Sequence, residues 1–358
     1  MPPGNRTIAL IDMNAFYASC HQAEDPSLRN QPVIVGGSPT NKYKGMVIAA
    51  SYEAKNQGVY TTMSVYEALK KVPKAIVVPR NHPLYSSYSS KIMEFLRLIG
   101  PTEVASVDEA YIDLTDRVNK GTSPHTIATY IQRTLWEKLH LGCSIGISDT
   151  KCSAKMAADV KKPFGYVHFE RLQFCSYFHP QKLSKLHGCG KKTEEKLNKY
   201  GIYTIGDLAQ TDPLQIKLIL GLRGEILRNN ALGIGSDVVD ADREKGDKTI
   251  GKEKTFSQPT SDTDQLLGIA RSMIELLCQR LKEKQLRAST IAVVYKTERG
   301  GASHSKSLTL ADSTSEPDQV YTIVEDLYDR HLMDIPLWLF GVRLSNFEDA
   351  NYVQLKLF

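Results

Sequence analysis

The stretch Val-Ala-Ser-Val-Asp-Glu-Ala-Tyr-Ile-Asp-Leu, residues 104–114, places two adjacent carboxylates, Asp108 and Glu109, between two β-prone runs. Apolar and polar residues alternate on both sides without Gly or Pro, which predicts a strand, a tight connection and a second strand. For an isolated Asp-Glu pair, a solvated hairpin tip is the favoured interpretation. Clustered carboxylates at a sheet end, by contrast, require a cation that neutralises them.

A second acidic strand end lies far upstream. Residues 6–12 form a short apolar run that closes on Asp12, and a predicted helix follows. If the two strands lie side by side, Asp12, Asp108 and Glu109 converge at one edge of a sheet. Three carboxylates and a backbone carbonyl, for which Met13 is the expected donor, suit two Mg²⁺ ions because Mg²⁺ prefers hard oxygen ligands.

Composition sets broad bounds on the chain. Its 358 residues predict roughly two to four compact units. A hydrophobic content of 41% is enough for real cores, and the net charge of +5 leans weakly toward a polyanionic partner. The 6 cysteines are scattered without metal-ligand spacing. No signal-peptide core or membrane-length apolar run is present, so we expect a cytoplasmic protein with no membrane association.

Between the two acidic strand ends, the sequence predicts two more strands at residues 32–37 and 45–50 and then a short helix that Gly58 stops. This helix begins with hydroxyl side chains, including Tyr52, one turn ahead of Lys55. Such a helix can hold a phosphate, although a capped surface helix is the plainer interpretation of this segment alone.

Residues 82–165 complete the first unit. Their patterns predict helices over 82–99 and 126–139, a strand over 143–148, a helix over 150–160, and a chain break at Lys162-Pro163-Phe164-Gly165. The resulting order of elements predicts an α+β unit with an antiparallel core and helices over one face.

The next segment has the form of a helix-hairpin-helix motif. Gly188 and Gly190 would make a tight turn whose N–H groups face a DNA phosphate, with Lys191 and Lys192 beside it. A plain αα-hairpin with a glycine turn remains an alternative.

Residues 233–247 have the composition of a linker, and the chain beyond predicts a βαββαβ unit. Residues 248–306 hold 11 Lys and Arg against 6 Asp and Glu, whereas residues 307–345 hold 2 against 7. The basic part suits a nucleic-acid backbone, although a generic solvated sheet face is a serious alternative. The side chains expected on its open face are Lys252, Lys254, Lys296, Arg299, Lys306 and Arg343.

Taken together, these motifs resemble the Y-family translesion DNA polymerases, most closely the DNA polymerase IV branch, over about residues 7–347. The motifs occur in the family's order: Asp12-Met13-Asn14-Ala15-Phe16-Tyr17, Ser51-Tyr52-Glu53-Ala54-Lys55, Ser106-Val107-Asp108-Glu109-Ala110-Tyr111, and Ile145-Gly146-Ile147-Ser148 through Lys162-Pro163-Phe164-Gly165. The chain departs from the common pattern at Lys55, where Arg is usual, and at Ala49, where Thr is often found.

The resemblance implies a right-hand architecture. We expect a palm over residues 1–25 and 75–165, fingers over 26–74, a thumb with the helix-hairpin-helix over 166–235, a linker over 236–247, a little finger over 248–347 and a tail over 348–358.

The resemblance also implies roles for individual residues. Asp12, Met13, Asp108 and Glu109 would hold two Mg²⁺ ions, and Tyr17 matches the steric gate that excludes ribonucleotides. The implied nucleotide contacts are Asn14, Ala15, Phe16, Tyr17, Tyr52, Lys55 and Lys162. The implied DNA contacts are Gly188, Gly190, Lys191, Lys192, Lys252, Lys254, Lys296, Arg299 and Arg343. The tail residues Gln354, Leu355, Leu357 and Phe358 resemble a sliding-clamp-binding peptide.

The expected activity is template-directed addition of deoxynucleoside triphosphates to a primer 3′-hydroxyl on primer-template DNA, by a monomer without proofreading. Three alternatives stay open: a polymerase V-type catalytic subunit that needs accessory proteins, a palm-type nucleotide cyclase, and a non-catalytic DNA-binding protein.

Overall fold

The protein, described by a computed structural model over residues 6–37, 41, 43–242 and 248–350, divides into two compact units, Met1–Glu244 and Lys245–Phe358. The first contains a five-stranded sheet, a three-stranded sheet and a group of helices, and the second contains a four-stranded sheet. The predicted α+β fold class is therefore confirmed. Within the described ranges, no helix combines the length and the apolarity needed to cross a membrane.

The five-stranded sheet forms the centre of the first unit. Its strands are β1 (Ile8–Met13), β5 (Thr102–Val104), β6 (Glu109–Asp113), β7 (Cys143–Ser148) and β8 (Tyr166–His168). They lie in the order β5-β6-β1-β7-β8, and all neighbours pair antiparallel except β7 and β8. The predicted hairpin is the β5–β6 pair. The parallel edge strand β8 was not predicted, since its three residues are too few to show a period.

Helices cover both faces of this sheet, so the expectation of helices over one face was wrong. The helices around it are α1 (Phe16–Glu24), α4 (His82–Ile99), α5 (Thr115–Asn119), α6 (Pro124–Leu139) and α7 (Lys151–Val160). Alternate residues of β1 face opposite ways: Ala9 and Ile11 join a core with α4 and α6 side chains, whereas Leu10 packs with Ala154 and Ala158 of α7. Burial of both faces explains why β1 is apolar until its last residues.

The contact between α7 and the sheet depends on a glycine in β7. A Cβ on Gly146 would lie inside van der Waals contact of the α7 backbone, at the Ala154 carbonyl and the Ala158 nitrogen. Any side chain there would push the helix away from the sheet. This close approach fixes α7, and the lysines it carries, at the end of the sheet.

A smaller sheet occupies the segment inserted between α1 and α4. Its strands are β2 (Val33–Val35), β3 (Ala49–Ala50) and β4 (Ile76–Val78), in the order β3-β2-β4, and its helices are α2 (Tyr52–Lys55) and α3 (Val65–Lys71). A capping box between Ser64 and Glu67 begins α3. The first two strands were predicted, at greater length, and β4 was not.

Residues 171–231 form a helical group whose core also includes Cys152 and Met156 of α7. Its helices are α8 (Arg171–Phe178), α9 (Lys191–Asn198), α10 (Ile205–Gln210), α11 (Pro213–Leu220) and α12 (Leu222–Ala231). In the expected helix-hairpin-helix, the first helix is only a 3-10 turn, Leu183–Lys185. The glycine turn is present: Gly188 has a φ of +91°, a conformation that favours glycine, and Gly190 caps α9.

The start of the predicted linker is packed against the first unit. The Ser236 carbonyl accepts a hydrogen bond from the Lys151 nitrogen (2.9 Å), and the Asp240 nitrogen donates to the buried Glu103 carboxylate (2.9 Å). Glu103 also forms an ion pair with Lys151 (2.8 Å). Residues 236–240 therefore belong structurally to the first unit.

The second unit has the predicted βαββαβ order. Its elements are β9 (Thr249–Thr260), α13 (Thr263–Glu283), β10 (Leu286–Lys296), β11 (His304–Thr314), α14 (Pro317–His331) and β12 (Leu337–Asp349), and its sheet order is β11-β10-β12-β9. The apolar side chains of both helices form one core with alternate residues of the strands. Among residues 248–350, no helix packs on the opposite face of the sheet.

The strand register corrects the expected placement of several lysines. Residues paired directly across strands point to the same face. Lys252 pairs with Val342 and Lys254 with Phe340, and both of these apolar partners belong to the helix-side core. The two lysines accordingly line a groove of about 430 Å³ with α13 residues instead of the open face. Lys306 lies opposite the core residue Val293 and is also on the helix side.

Candidate active site

The strand register brings two of the three predicted acids together. Asp12, at the end of β1, is the antiparallel partner of Glu109, at the start of β6. Asp12 is only 6% exposed, and the Met13 nitrogen donates to the Asp108 carbonyl (2.9 Å), which ties the two strand ends together. Partly buried carboxylates on neighbouring strands repel each other and lose hydration, so they need positive charge nearby.

Two lysines supply that charge. Lys155 of α7 forms an ion pair with Glu109 and lies 3.6 Å from Asp12 Oδ2. Lys162 donates to Asp12 Oδ2 at 2.6 Å and to Asp159 Oδ1 at 2.7 Å. Lys155 was given no role from the sequence, although it lies within the motif of residues 145–165 that contributed to the family resemblance.

The charges alter the proton affinities at the site. Burial raises the pKa of Glu109, and Asp12 adds to this effect, while Lys155 opposes it. Burial alone would lower the pKa of Lys162, but its hydrogen bonds to Asp12 and Asp159 outweigh this and raise it. The site is thus a coupled network of acids and ammonium groups in which Lys162 is held protonated.

The third predicted acid, Asp108, has different contacts from the other two. Asp108 is half-buried, and its Oδ1 accepts a hydrogen bond from Ser106 Oγ at 2.6 Å. Across the described parts of the chain, no three His, Cys, Asp or Glu side chains are already arranged around a common point for a metal. The donor set nevertheless fits a divalent cation: Asp12, Asp108 and Glu109 offer carboxylate oxygens to one cavity, and ammonium groups now balance two of them.

That cavity has a volume of about 370 Å³ and collects most of the predicted site. The predicted residues that line it are Asp12, Met13, Ala15, Phe16, Tyr17, Tyr52, Lys55, Asp108, Glu109 and Lys162. Ile48, Ala49 and Thr61 complete the lining. Thr61 was missed by sequence analysis, and no periodicity or motif marks it.

One wall of the cavity is basic. Lys55 Nζ lies 4.9 Å from the centre of the Tyr52 ring. Burial lowers the pKa of Lys55, and Lys162 lowers it further. Two ammonium groups that repel each other in a half-buried space favour an anion between them. Ser51, at the start of α2, takes no part: its hydroxyl donates to the Gln31 carbonyl and accepts from the Val33 nitrogen.

Another part of the cavity wall is aromatic. Tyr17 stacks on Tyr85 of α4, with ring centroids 4.2 Å apart and an interplanar angle of 19°. Ala15, directly before α1, has a left-handed conformation with a φ of +47°. Stacking restricts the rotation of the Tyr17 ring, so this ring presents a fixed surface to the cavity.

Asn14 is the predicted nucleotide contact that the structure places elsewhere. It is 3% exposed and does not line the cavity. Its Nδ2 donates to Ser144 Oγ (2.8 Å), and its Oδ1 accepts from the Phe164 nitrogen (2.8 Å). Its side chain is therefore used within the fold.

The glycine hairpin lines a separate, larger cavity in the first unit, of about 770 Å³. Gly188 and Gly190 form part of its wall together with His187 and Arg223. Arg223 donates to the Gly188 carbonyl (3.2 Å), whereas Lys191 and Lys192 do not line this cavity. Arg223 was missed because it follows the hairpin by more than thirty residues.

The basic residues of the second unit are distributed over different surfaces. Arg343 lies on the open face of the sheet and donates to Glu253 (2.9 Å). Lys296 pairs with Leu339, on that same open face. Arg299 lies 5.7 Å from the Trp338 ring centre. The predicted clamp-binding residues Gln354, Leu355, Leu357 and Phe358 lie outside the described residues.

Comparison with known proteins gives concordant results. The family model described as impB/mucB/samB matches residues 11–159, and the model of that family's C-terminal domain matches residues 247–357. DNA polymerase IV 1 of Bacillus subtilis (strain 168) is 37% identical over 100% of this chain and 86% of its own length. DNA polymerase IV of Methanoculleus marisnigri is 34% identical over 97% of this chain and 96% of its own length.

A solved structure is similar in fold. The Y-family DNA polymerase chimera Dbh-Dpo4(243-245)-Dbh matches 95% of this chain and 98% of its own, with a TM-score of 0.83 and 24% sequence identity.

Proposed function

The chain belongs to the impB/mucB/samB family of Y-family, DNA polymerase IV-like proteins, and from this premise we propose how its residues carry out translesion DNA synthesis. The enzyme is a DNA-directed DNA polymerase that depends on divalent metal. It adds deoxynucleotides to a primer 3′-hydroxyl opposite a template strand. The observation that carries the assignment of residues is the cavity in which the acids, the basic wall and the Tyr17 ring meet.

Asp12, Asp108 and Glu109, with the Met13 carbonyl, are the proposed ligands of two Mg²⁺ ions. When bound, such ions promote loss of the primer hydroxyl proton and stabilise negative charge on the leaving pyrophosphate. The protein's own contribution is placement: the β1–β6 register sets Asp12 beside Glu109, and the Ser106–Asp108 hydrogen bond holds the third carboxylate. The reaction needs positioning and electrostatic stabilisation but no covalent intermediate.

Lys55, Lys162 and Tyr52 are the proposed contacts of the triphosphate. A bound triphosphate would compete with Asp12 and Asp159 for Lys162, whose ammonium is kept protonated by those acids. Lys55 offers a point charge where an arginine would offer a bidentate fork, so its contact is less directional.

Tyr17 is the proposed steric gate. Because its ring is stacked on Tyr85, it cannot easily turn away from a ribose 2′-hydroxyl that enters the cavity. Ribonucleotides would be excluded by this steric contact, without any hydrogen bond to the 2′-hydroxyl.

The remaining contacts are proposed for DNA and the replication machinery. The glycine hairpin and the basic residues of the second unit would bind the DNA backbone, so affinity should fall steeply with salt. We assign the C-terminal peptide to a sliding clamp and expect a cytoplasmic monomer.

The test is primer extension by the purified protein with Mg²⁺, comparing the wild type with Asp108→Ala and with Asp116→Ala. Asp108→Ala should lower the extension rate about a thousandfold, since it removes a metal ligand. Asp116 is exposed, and among the described residues its carboxylate pairs with Lys120, so Asp116→Ala should extend primers normally. Equal extension by the wild type and Asp108→Ala would refute the assignment. A cyclic product from nucleotide alone would favour a cyclase instead.

A further inference from the structure

Lys162 reaches the active-site cavity from a turn that lies outside the central strands. This turn, residues 162–165, follows α7 and leads into β8; we call it the lysine turn. Lys162 contacts Asp12 across 150 residues of sequence. The position of its ammonium therefore depends on whatever holds the turn against the end of the sheet.

Side chains from two other elements hold the turn at Phe164. The Phe164 nitrogen donates to Asn14 Oδ1 (2.8 Å), and its carbonyl accepts from Gln132 Nε2 (3.1 Å). Gln132 also donates to the Gly165 carbonyl (3.2 Å). Phe164 has a left-handed φ of +58°. A bulky residue in this conformation is strained unless surrounding contacts fix it.

The Phe164 ring adds a packing contact. It meets the Trp136 ring edge-to-face, with centroids 5.9 Å apart. It also lies against Gly142, where a Cβ would occupy the same space as the ring. Asn14 connects this packing to the catalytic strand, because its own nitrogen donates to the Gly142 carbonyl (2.8 Å).

Asn14 therefore joins three parts of the site. It lies two residues after Asp12, its Nδ2 is bonded to Ser144 of β7, and its Oδ1 is bonded to the lysine turn. It is buried and stays out of the cavity wall. An effect of Asn14 on nucleotide binding must then pass through another residue, and Lys162 is the cavity residue nearest to the turn contact in sequence.

We propose that Asn14 is a positioning residue that sets the affinity for the incoming nucleotide by holding the lysine turn, and with it Lys162, in place. The inference rests on the proposed role of Lys162 in binding the triphosphate. Gln132 acts on the same turn from α6. Neither side chain touches the nucleotide.

The first test separates positioning from contact by nucleotide titration of primer extension. Asn14→Ala should raise the KM for deoxynucleotide about tenfold and change kcat much less, the size expected for one lost charge-assisted contact. The double variant Asn14→Ala/Lys162→Ala should be no worse than Lys162→Ala, because residues that act through one another are not additive. Gln132→Ala should give the same pattern as Asn14→Ala.

Ser144→Ala is the matched control. It removes the partner of Asn14 Nδ2 but leaves the bond from Oδ1 to the lysine turn. Its KM should stay within about twofold of wild type, since only a neutral contact is lost and both the Asn14 bond and the Ile145 backbone bond to the turn are kept. A rise in KM as large as that of Asn14→Ala would show a general structural role and overturn the inference.

A second test measures the packing of the lysine turn by tryptophan fluorescence. The chain has 2 tryptophans, so Trp338→Phe leaves Trp136, which packs on Phe164, as the only tryptophan, and it can be excited selectively over tyrosine. Asn14→Ala in this background should change the Trp136 emission, and Ser144→Ala should not. Unchanged emission in Asn14→Ala would overturn the inference. So would a double variant in which the increases in KM from Asn14→Ala and Lys162→Ala multiply. Both outcomes would leave the proposed polymerase function intact. Absence of extension by the wild type would overturn the proposed function and this inference with it.

Discussion

The five-stranded sheet of the first unit and the four-stranded sheet of the second have similar antiparallel cores but different coverage by helices. In the first, all six residues of β1 are buried because helices pack on both faces. In the second, helices pack on one face, and β9 is exposed along most of its length. A sheet covered on both sides can place polar groups only at strand ends, whereas a half-covered sheet can carry them along its strands.

This difference separates two kinds of function. The covered sheet concentrates Asp12 and Glu109 at one end. A few groups can be held there in fixed positions and partly excluded from solvent, as catalysis requires. The half-covered sheet spreads single charges such as Lys296 and Arg343 over a wet surface, which suits many weak contacts with a polyanion. Substitutions in the two sheets should therefore differ in the size and kind of their effects.

The largest effect is expected at the catalytic end of β6. Glu109→Gln keeps the shape of the side chain but removes the charge that faces Lys155, and it should lower the primer-extension rate about a thousandfold through loss of a metal ligand. Asp113→Asn, at the other end of the same strand, weakens a partly exposed pair with Arg6, keeps an oxygen for the Thr115 nitrogen, and should leave the rate nearly unchanged. Similar losses from both variants would contradict the idea that function is confined to one end.

The sequence predicted this end of the sheet well because its signals are local. Each acid closes or opens an apolar run, and one assumption, that the two runs are neighbours, was sufficient to bring Asp12 to Glu109. The resemblance to the Y-family polymerases is confirmed by the family match and by relatives along the whole chain. Short strands such as β4 and β8 could not be predicted, because three residues do not show a period.

Other features depended on contacts between segments distant in sequence. In the sequence, Lys155 cannot be distinguished from an ordinary surface lysine. Its ion pair with Glu109 forms only because α7 packs against the strand ends. Asn14 belongs to a motif whose neighbouring residues line the cavity, but its own side chain is hydrogen-bonded to the lysine turn. Lys252 was assigned to the open face because alternation gives two faces without saying which one the helices cover.

The next largest effect should come from the backbone packing of the covered sheet. Gly146→Ala would force β7 and α7 apart, and the first unit should lose about 3 kcal/mol of unfolding free energy, the upper end for overpacking. Urea unfolding followed by Trp136 emission, in the Trp338→Phe background, measures this unit. Unchanged stability would mean that α7 can move away from the sheet at little cost.

A smaller effect is expected for single charges of the half-covered sheet. Lys296→Gln, on the open face, should weaken DNA binding about threefold. It should also reduce the slope of the logarithm of the binding constant against the logarithm of the salt concentration by about one, as expected for one lost phosphate contact. Lys252→Gln, on the helix side, should do neither if DNA binds the open face. Fluorescence anisotropy with a labelled duplex over a range of salt distinguishes the two. Equal effects would show that both faces attract DNA.

The smallest effect is expected at a glycine of the second unit where nothing is packed. Gly268 is an exposed residue in the second turn of α13, and a Cβ there would meet no atom within 4 Å. Gly268→Ala should therefore stabilise the second unit by about 0.5–1 kcal/mol, because alanine lowers the entropy cost of the helix without creating a clash. Urea unfolding followed by Trp338 emission in a Trp136→Phe background measures this unit. Glycine-to-alanine changes would thus have opposite signs at Gly146 and Gly268, and destabilisation by Gly268→Ala would indicate that this helix face is occupied in solution.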